Sequence, residues 1–222
     1  MIAEEYYYHQ EPEISIPKGK TISFVVKTIK EVPKNFISAL ENIDIIKPLN
    51  ENKLTQVLVE QINAVLLEKE FSILALNQYC DLFYDTKGIP DIYFYESEKG
   101  KINKPLFIVE SKRLPAPSPK TREKEYVIGK NKNGGIERFK IGKHGKGLNE
   151  CGIVGFVEKE NFHFWKGKVN SWINELSNKD NFWNEDERII MKENTDIFAF
   201  SHSIAHRKKE NDLLLYHFWI KI

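Results

Sequence analysis

The strongest constraint on how this chain folds lies in residues 88–113, GIPDIYFYESEKGKINKPLFIVESKR. Two short apolar runs, IYFY at 92–95 and LFIV at 106–109, flank a polar stretch that carries a glycine, an asparagine and several lysines. Runs of this length, rich in aromatic and β-branched residues and bounded by turn formers, predict neighbouring strands. Pro90 suits the mouth of the first strand, because it has no N–H to give to a ladder. Charge then falls where a buried strand does not carry it: Asp91 opens the first strand, and Glu110 and Lys112 follow the apolar run of the second. Side chains alternate along a strand, so Glu110 and Lys112 share a face, and Asp91 on the neighbouring strand can share it too. Two carboxylates and an ammonium converging at a sheet edge suit a hard, oxygen-seeking cation.

The flanking sequence predicts an α/β unit around this pair. Residues 50–67 have the best helical periodicity in the chain, through Leu54, Val57, Leu58, Ile62, Val65 and Leu66, with Asn50 as N-cap. At 100° per residue Glu51 lies close to the apolar stripe and Glu60 on the solvent side. An acid in the first turn also complements the helix dipole, so Glu51 is open to both readings. Residues 71–76 read as a strand, 81–84 lead into a turn, and Asp85 reads as a solvated turn residue. Prolines at 115–119 end the strand carrying Lys112. Residues 134–143 allow a helix with Ile136, Phe139 and Ile141 inward and with Arg138 and Lys140 directed elsewhere. CGIVGFV at 151–157 reads as a buried strand, and strand, crossover helix and strand in this order predict a parallel pair. Residues 162–176 predict an amphipathic helix, and 197–222 two late strands around a turn at 208–212. Before the core, 14–16 and 22–26 suggest strands around Gly19, and 34–40 a short helix after Pro33. We read one domain over 1–222: an N-terminal elaboration to 49, a core at 50–157, and a C-terminal helix with strands.

Pro90-Asp91 followed by Glu110-Ser111-Lys112 resembles the signature of the PD-(D/E)XK nuclease superfamily, with the resemblance covering about residues 50–157. It implies a restriction-endonuclease-like αβββαβ core, a mixed sheet flanked by helices. It further implies a magnesium ion, with manganese as a substitute, held by Asp91, Glu110 and the carbonyl of Ser111. Many members supply a further acid from the helix before the sheet, and Glu51 matches that position. Lys112 would orient or deprotonate the attacking water. Compact enzymes of this kind serve restriction, phage defence, mobile elements or repair, often as dimers or with a partner subunit. The expected activity is therefore DNA endonuclease, on double-stranded DNA. A non-catalytic nucleic-acid-binding or assembly module of the same fold, and an RNA-directed nuclease, are the alternatives.

The formal net charge of +1 hides an uneven distribution. Residues 112–147 hold eleven basic side chains against three acidic ones, and the rest of the chain is acidic by difference. From this segment Lys130, Lys132, Arg138, Lys140, Lys143 and Lys146 are expected to contact phosphates. His144 lies in the same glycine-flanked loop, as a phosphate contact or simply as loop. His202 and His206 are spaced for a helical metal pair but sit in a strand-like pattern without a third ligand. Trp165, Trp172, Trp183 and Trp219 read as core. Two cysteines without a spacing motif, no signal-peptide pattern and no apolar run near 18 residues predict a cytoplasmic protein with no membrane contact.

Overall fold

The computed structural model describes residues 18–41 and 47–222. Three helices come first: α1 (Lys18–Glu31), α2 (Pro33–Leu40) and α3 (Glu51–Glu68). Strands β1 (Ile73–Asn77), β2 (Ile92–Glu96) and β3 (Phe107–Leu114) follow, then α4 (Gly135–Lys140) and β4 (Glu150–Val157). Helix α5 (Phe162–Ser177) leads to β5 (Ile190–Asn194), β6 (Phe198–Ala205) and β7 (Leu213–Lys221). The predicted helix, three strands, helix, strand order is present from α3 to β4.

All seven strands join one mixed sheet in the order β1-β2-β3-β4-β7-β6-β5. The β1/β2 and β2/β3 pairs are antiparallel, whereas β3/β4 and β4/β7 are parallel. Strand β7 therefore enters the middle of the sheet beside β4, and β6 and β5 extend it antiparallel beyond. The apolar run of β4 explains its central place, since seven of its eight residues are buried and both of its edges are paired. Gly155 permits this crowding: a Cβ there would stand 2.5 Å from Cδ1 of Trp219.

Helices α1–α3 pack on one face, where Leu54, Leu58 and Ile62 meet Ala75, Phe94 and Val109. Helices α4 and α5 cover the other, where Phe139, Trp165 and Trp172 join a core that includes Ile108, Leu114 and Trp219. All four tryptophans are buried, as their patterns predict.

The structure corrects the N-terminal reading. Residues 22–26 belong to α1, and the 14–16 strand expectation lies outside the described residues. Thr21, Val25, Thr28, Ile29 and Val32 are all buried, at helical spacing. Two of those five core positions are threonines, which disguised the period. Strand β5 was not foreseen, because only Met191 in it is even partly covered. Helix α4 is shorter than predicted: Gly142 turns the chain at φ +69° just beyond it, and Ile141 remains 39% exposed instead of pointing inward. Among the described residues, no helix is long and apolar enough to cross a membrane.

Candidate active site

The expected site residues come together at the end of the β2/β3 ladder. Strand register pairs Ile92 with Val109, so Asp91 continues the ladder opposite Glu110. An Asp91 carboxylate oxygen accepts the backbone N–H of Ser111 at 2.7 Å. Along β3, Ile108, Glu110, Lys112 and Leu114 alternate onto the α4/α5 face, while Val109 turns to the opposite core. Apolar neighbours thus enclose two charged side chains: Glu110 is fully buried and Lys112 is 6% exposed.

Lys112 is the centre of the cluster. Its Nζ donates to Glu110 Oε1 and to the Ser111 carbonyl, both at 2.7 Å, and stands 3.4 Å from Glu51 Oε1. Glu51 reaches it because Asn50 caps α3 by accepting from Lys53 N at 2.9 Å, which fixes where the first turn begins. The other Glu51 oxygen accepts the Arg113 N–H at 3.1 Å, so the carboxylate closes the end of β3 as well as facing the lysine. Glu60 is exposed and Asp85 lies in an exposed turn, as read from the sequence. The turn itself is held by Asp81, which accepts from the N–H groups of Phe83, Tyr84 and Thr86.

Two further residues enter that sequence reasoning placed elsewhere. Arg138 donates from Nη1 to Glu110 Oε1. His144 is buried, with Nδ1 3.2 Å from Glu110 Oε2 but without hydrogen-bond alignment. Arg138 is aimed by the way α4 is mounted. Gly135, Ile136 and Glu137 donate from backbone N–H to the carbonyls of Glu125, Tyr126 and Val127, and the Tyr126 hydroxyl is bonded to His217 and Trp219 of β7. A tethered six-residue helix therefore projects its arginine onto the strand acid.

The electrostatics follow from burial and neighbours. Burial, and then the Glu110 charge, push the Asp91 carboxyl up to about 7. Burial also acts to raise Glu110, but Lys112, His144 and Arg138 outweigh it and hold that carboxyl down at about 2. Lys112 is raised despite burial by Glu110, Glu51 and Asp91, which keeps it an ammonium. His144 is lowered by burial, with Arg138 and Lys112 also acting against its charged form, so it stands as a neutral imidazole at neutral pH. Three carboxylates thus face two permanent cations, and Asp91 retains a proton near neutrality for want of a third.

That imbalance bears on the expected magnesium ion. The donors are hard oxygens, one of them, Glu110 Oε2, has no hydrogen-bond partner although buried, and partly exposed Asp91 and Glu51 open the cluster to solvent. Among the described residues, no group of three or more His, Cys, Asp or Glu side chains is arranged to hold an ion as it stands. Lys112 and Arg138 take up the carboxylate oxygens instead. The residue types fit a divalent cation once the lysine gives up part of its contacts.

The basic segment divides. Lys130, Lys132 and Lys146 are exposed, and half-buried Lys143 bonds Asn133 Oδ1 at 2.7 Å. Lys140 is not a surface residue: its ammonium is buried against Glu187 and donates to the His206 carbonyl at 3.1 Å, which removes it from any phosphate-binding face. Arg138, spent on Glu110, is corrected likewise from the outward position expected. His202 lies in β6 and His206 beyond it, the latter bonded to Asp186 and Asp212, and the two form no helical pair. Comparison of the chain with protein-family models, with curated proteins and with solved structures gives no match in any of the three.

Proposed function

We propose that the chain is a magnesium-dependent nuclease that hydrolyses phosphodiester bonds in DNA. The observation that carries this is a buried ammonium, Lys112, bonded to Glu110 and facing Glu51 of α3, with Asp91 from the mouth of β2 held on the N–H of Ser111 between them. The succession of α3, three strands, α4 and β4, with its antiparallel, antiparallel and parallel pairings, supports the restriction-endonuclease-like reading that the Pro90-Asp91 and Glu110-Ser111-Lys112 resemblance implies. On this reading Asp91, Glu110, Glu51 and the Ser111 carbonyl hold Mg²⁺, or Mn²⁺ in its place. When bound, such a cation neutralises charge growing on the phosphate and lowers the pKa of water. Lys112, permanently protonated in its present contacts, serves as a positioned positive charge for the scissile phosphate, and not as a base. Arg138 keeps Glu110 ionised and oriented, and neutral His144 fills the space behind it without adding charge.

The engagement of Glu110 Oε1 by both Lys112 and Arg138 also favours a second reading, a non-catalytic nucleic-acid-binding module of the same fold. One experiment separates them. Plasmid, single-stranded DNA and RNA are incubated with the protein in Mg²⁺ and in EDTA, beside the Lys112→Ala variant. The nuclease reading expects DNA cleavage only with the metal, and a loss of about a hundredfold or more in the variant. Cleavage that Lys112→Ala leaves untouched sinks this site, binding without cleavage identifies the module, and cleavage confined to RNA changes the substrate.

A further inference from the structure

The strand that begins with Asp91 carries tyrosines onward along the same face. Tyr93 and Tyr95 share the alternation of Asp91, and their rings stack at 5.6 Å between centroids. Tyr79, just past the end of β1 and buried, backs the pair with its ring 4.9 Å from that of Tyr93. These rings line a groove of about 380 Å³ whose rim includes Leu82, 69% exposed, and Ile102, 73% exposed, with the amides of Gln78 and Asn103. Apolar loop side chains left this open beside a sheet face mark a surface that takes a partner.

The chemistry of the surroundings selects the partner. Tyr79 also borders a second, narrow cavity lined by Tyr84, Lys104, Lys143, His144 and Lys146. Through His144 that cavity adjoins Glu110. Lys104 donates to the Tyr84 hydroxyl at 2.6 Å, lying over its ring, and Lys146 stands 5.9 Å above the same ring. From the carboxylate cluster outward, the surface therefore runs through lysines to aromatic rings, and the one acid lining that cavity, Asp81, is turned to the backbone N–H groups of Phe83, Tyr84 and Thr86. A lipid surface or an apolar protein would call for aliphatic side chains on the floor. Stacked aromatics beside lysines are instead what an unpaired strand requires, because each base has a π-face and each phosphate a charge. Bases paired within a duplex cannot offer those faces.

We propose that Tyr93 and Tyr95, backed by buried Tyr79, stack unpaired bases of single-stranded DNA, while Lys104, Lys143 and Lys146 guide its phosphates to the Asp91–Glu110–Lys112 cluster. This rests on the nuclease reading for its choice of DNA, and names the substrate class as unpaired segments, such as flaps, gaps or open ends, in preference to intact duplex.

The test measures binding in EDTA, where cleavage does not intervene, by fluorescence anisotropy with labelled oligo-dT, a duplex of equal length, and oligo-U. Oligo-dT is expected to bind more tightly than duplex. Replacing Tyr93 and Tyr95 together by Ala is expected to weaken oligo-dT binding by about a hundredfold, roughly tenfold for each ring. The Tyr93→Phe, Tyr95→Phe pair, which keeps the π-faces, is expected to stay within about threefold of wild type, and thermal melts confirm that both variants fold. Equal oligo-dT affinity of wild type and a folded Ala variant overturns the stacking row, as does tighter binding of duplex. Tighter binding of oligo-U overturns the DNA assignment. Adding Mg²⁺ to the same mixtures separates the two levels of inference. Plasmid cleavage without tyrosine-dependent oligo-dT binding removes the stacking row and leaves the nuclease. Tyrosine-dependent binding with no cleavage of any nucleic acid removes the nuclease and leaves the row.

Discussion

Asp91 and Glu110 are the same chemistry in neighbouring seats, yet the structure drives them apart. Asp91, raised to about 7 by burial and by Glu110, binds a proton that the unfolded chain has released above its ordinary value of 3.8. Its contribution to stability is therefore present below about 4 and lost as pH rises towards 7. Glu110, held at about 2, has the opposite sign: its contribution is present above its ordinary 4.5 and lost as pH falls below that. In EDTA at about pH 8, Asp91→Asn is expected to raise the melting temperature and flatten its dependence between about pH 4 and 7. Glu110→Gln is expected to cost about 3–5 kcal/mol at neutral pH, because Lys112 and Arg138 lose a buried counter-charge. Differential scanning fluorimetry across pH checks both, and a stabilising Glu110→Gln would contradict the ion-pair account. These acids were legible in the sequence because charge bordered two short apolar runs, and Glu51 because a helical angle placed it near the stripe. Arg138 and His144 were not. A six-residue helix and a glycine-flanked loop have no periodicity that says which side chain meets the sheet, and only the approach of α4 to β3 decides it.

Elements were readable in proportion to how one-sided their burial is. Helix α3 buries a clean stripe and β4 an unbroken run, and both stand where the pattern put them. Strand β5 buries almost nothing, and α1 uses threonines in its core stripe, so each lacked the signal that the others carried. Glycines distinguish a mount from a bystander at this scale. A Cβ on Gly134 would lie 2.2 Å from the backbone Cα of Ile128, which has no rotamer with which to yield, whereas Gly167 in α5 has no atom within 4 Å. Gly134→Ala is expected to destabilise by about 1–3 kcal/mol and, on the nuclease reading, to lower cleavage further by dislodging the helix that carries Arg138. Gly167→Ala is expected to stabilise by up to about 1 kcal/mol, through helix propensity alone. Chemical denaturation of the two variants beside wild type measures the contrast, and equal effects would refute it.

Over the whole molecule, the near-zero net charge conceals cations with separate tasks. Lys130, Lys132, Lys143 and Lys146 remain at or near the surface, while Lys140 and Arg138 are turned inward to acids. Titrating salt against single-strand affinity distinguishes them. Lys146→Ala is expected to reduce the slope of log K against log salt by about 0.7. Lys140→Met is expected to leave that slope unaltered while lowering stability by about 3–5 kcal/mol, since Glu187 keeps the N–H groups of Asn184 and His206 but is left buried without its counter-charge. A slope change from Lys140→Met would return that residue to the surface. The position of β7 between β4 and β6 has a consequence in time as well as space. During synthesis, β3 and β4 emerge with their acids and lysine already encoded, yet β4 has one bare edge until residues 213–221 leave the ribosome. A nascent chain lacking that wedge holds an open half-sheet, without the Tyr126 anchor that seats α4. Seating of Arg138 on Glu110 thereby waits for residues 213–221, the stretch that brings His217 and Trp219 to the Tyr126 hydroxyl.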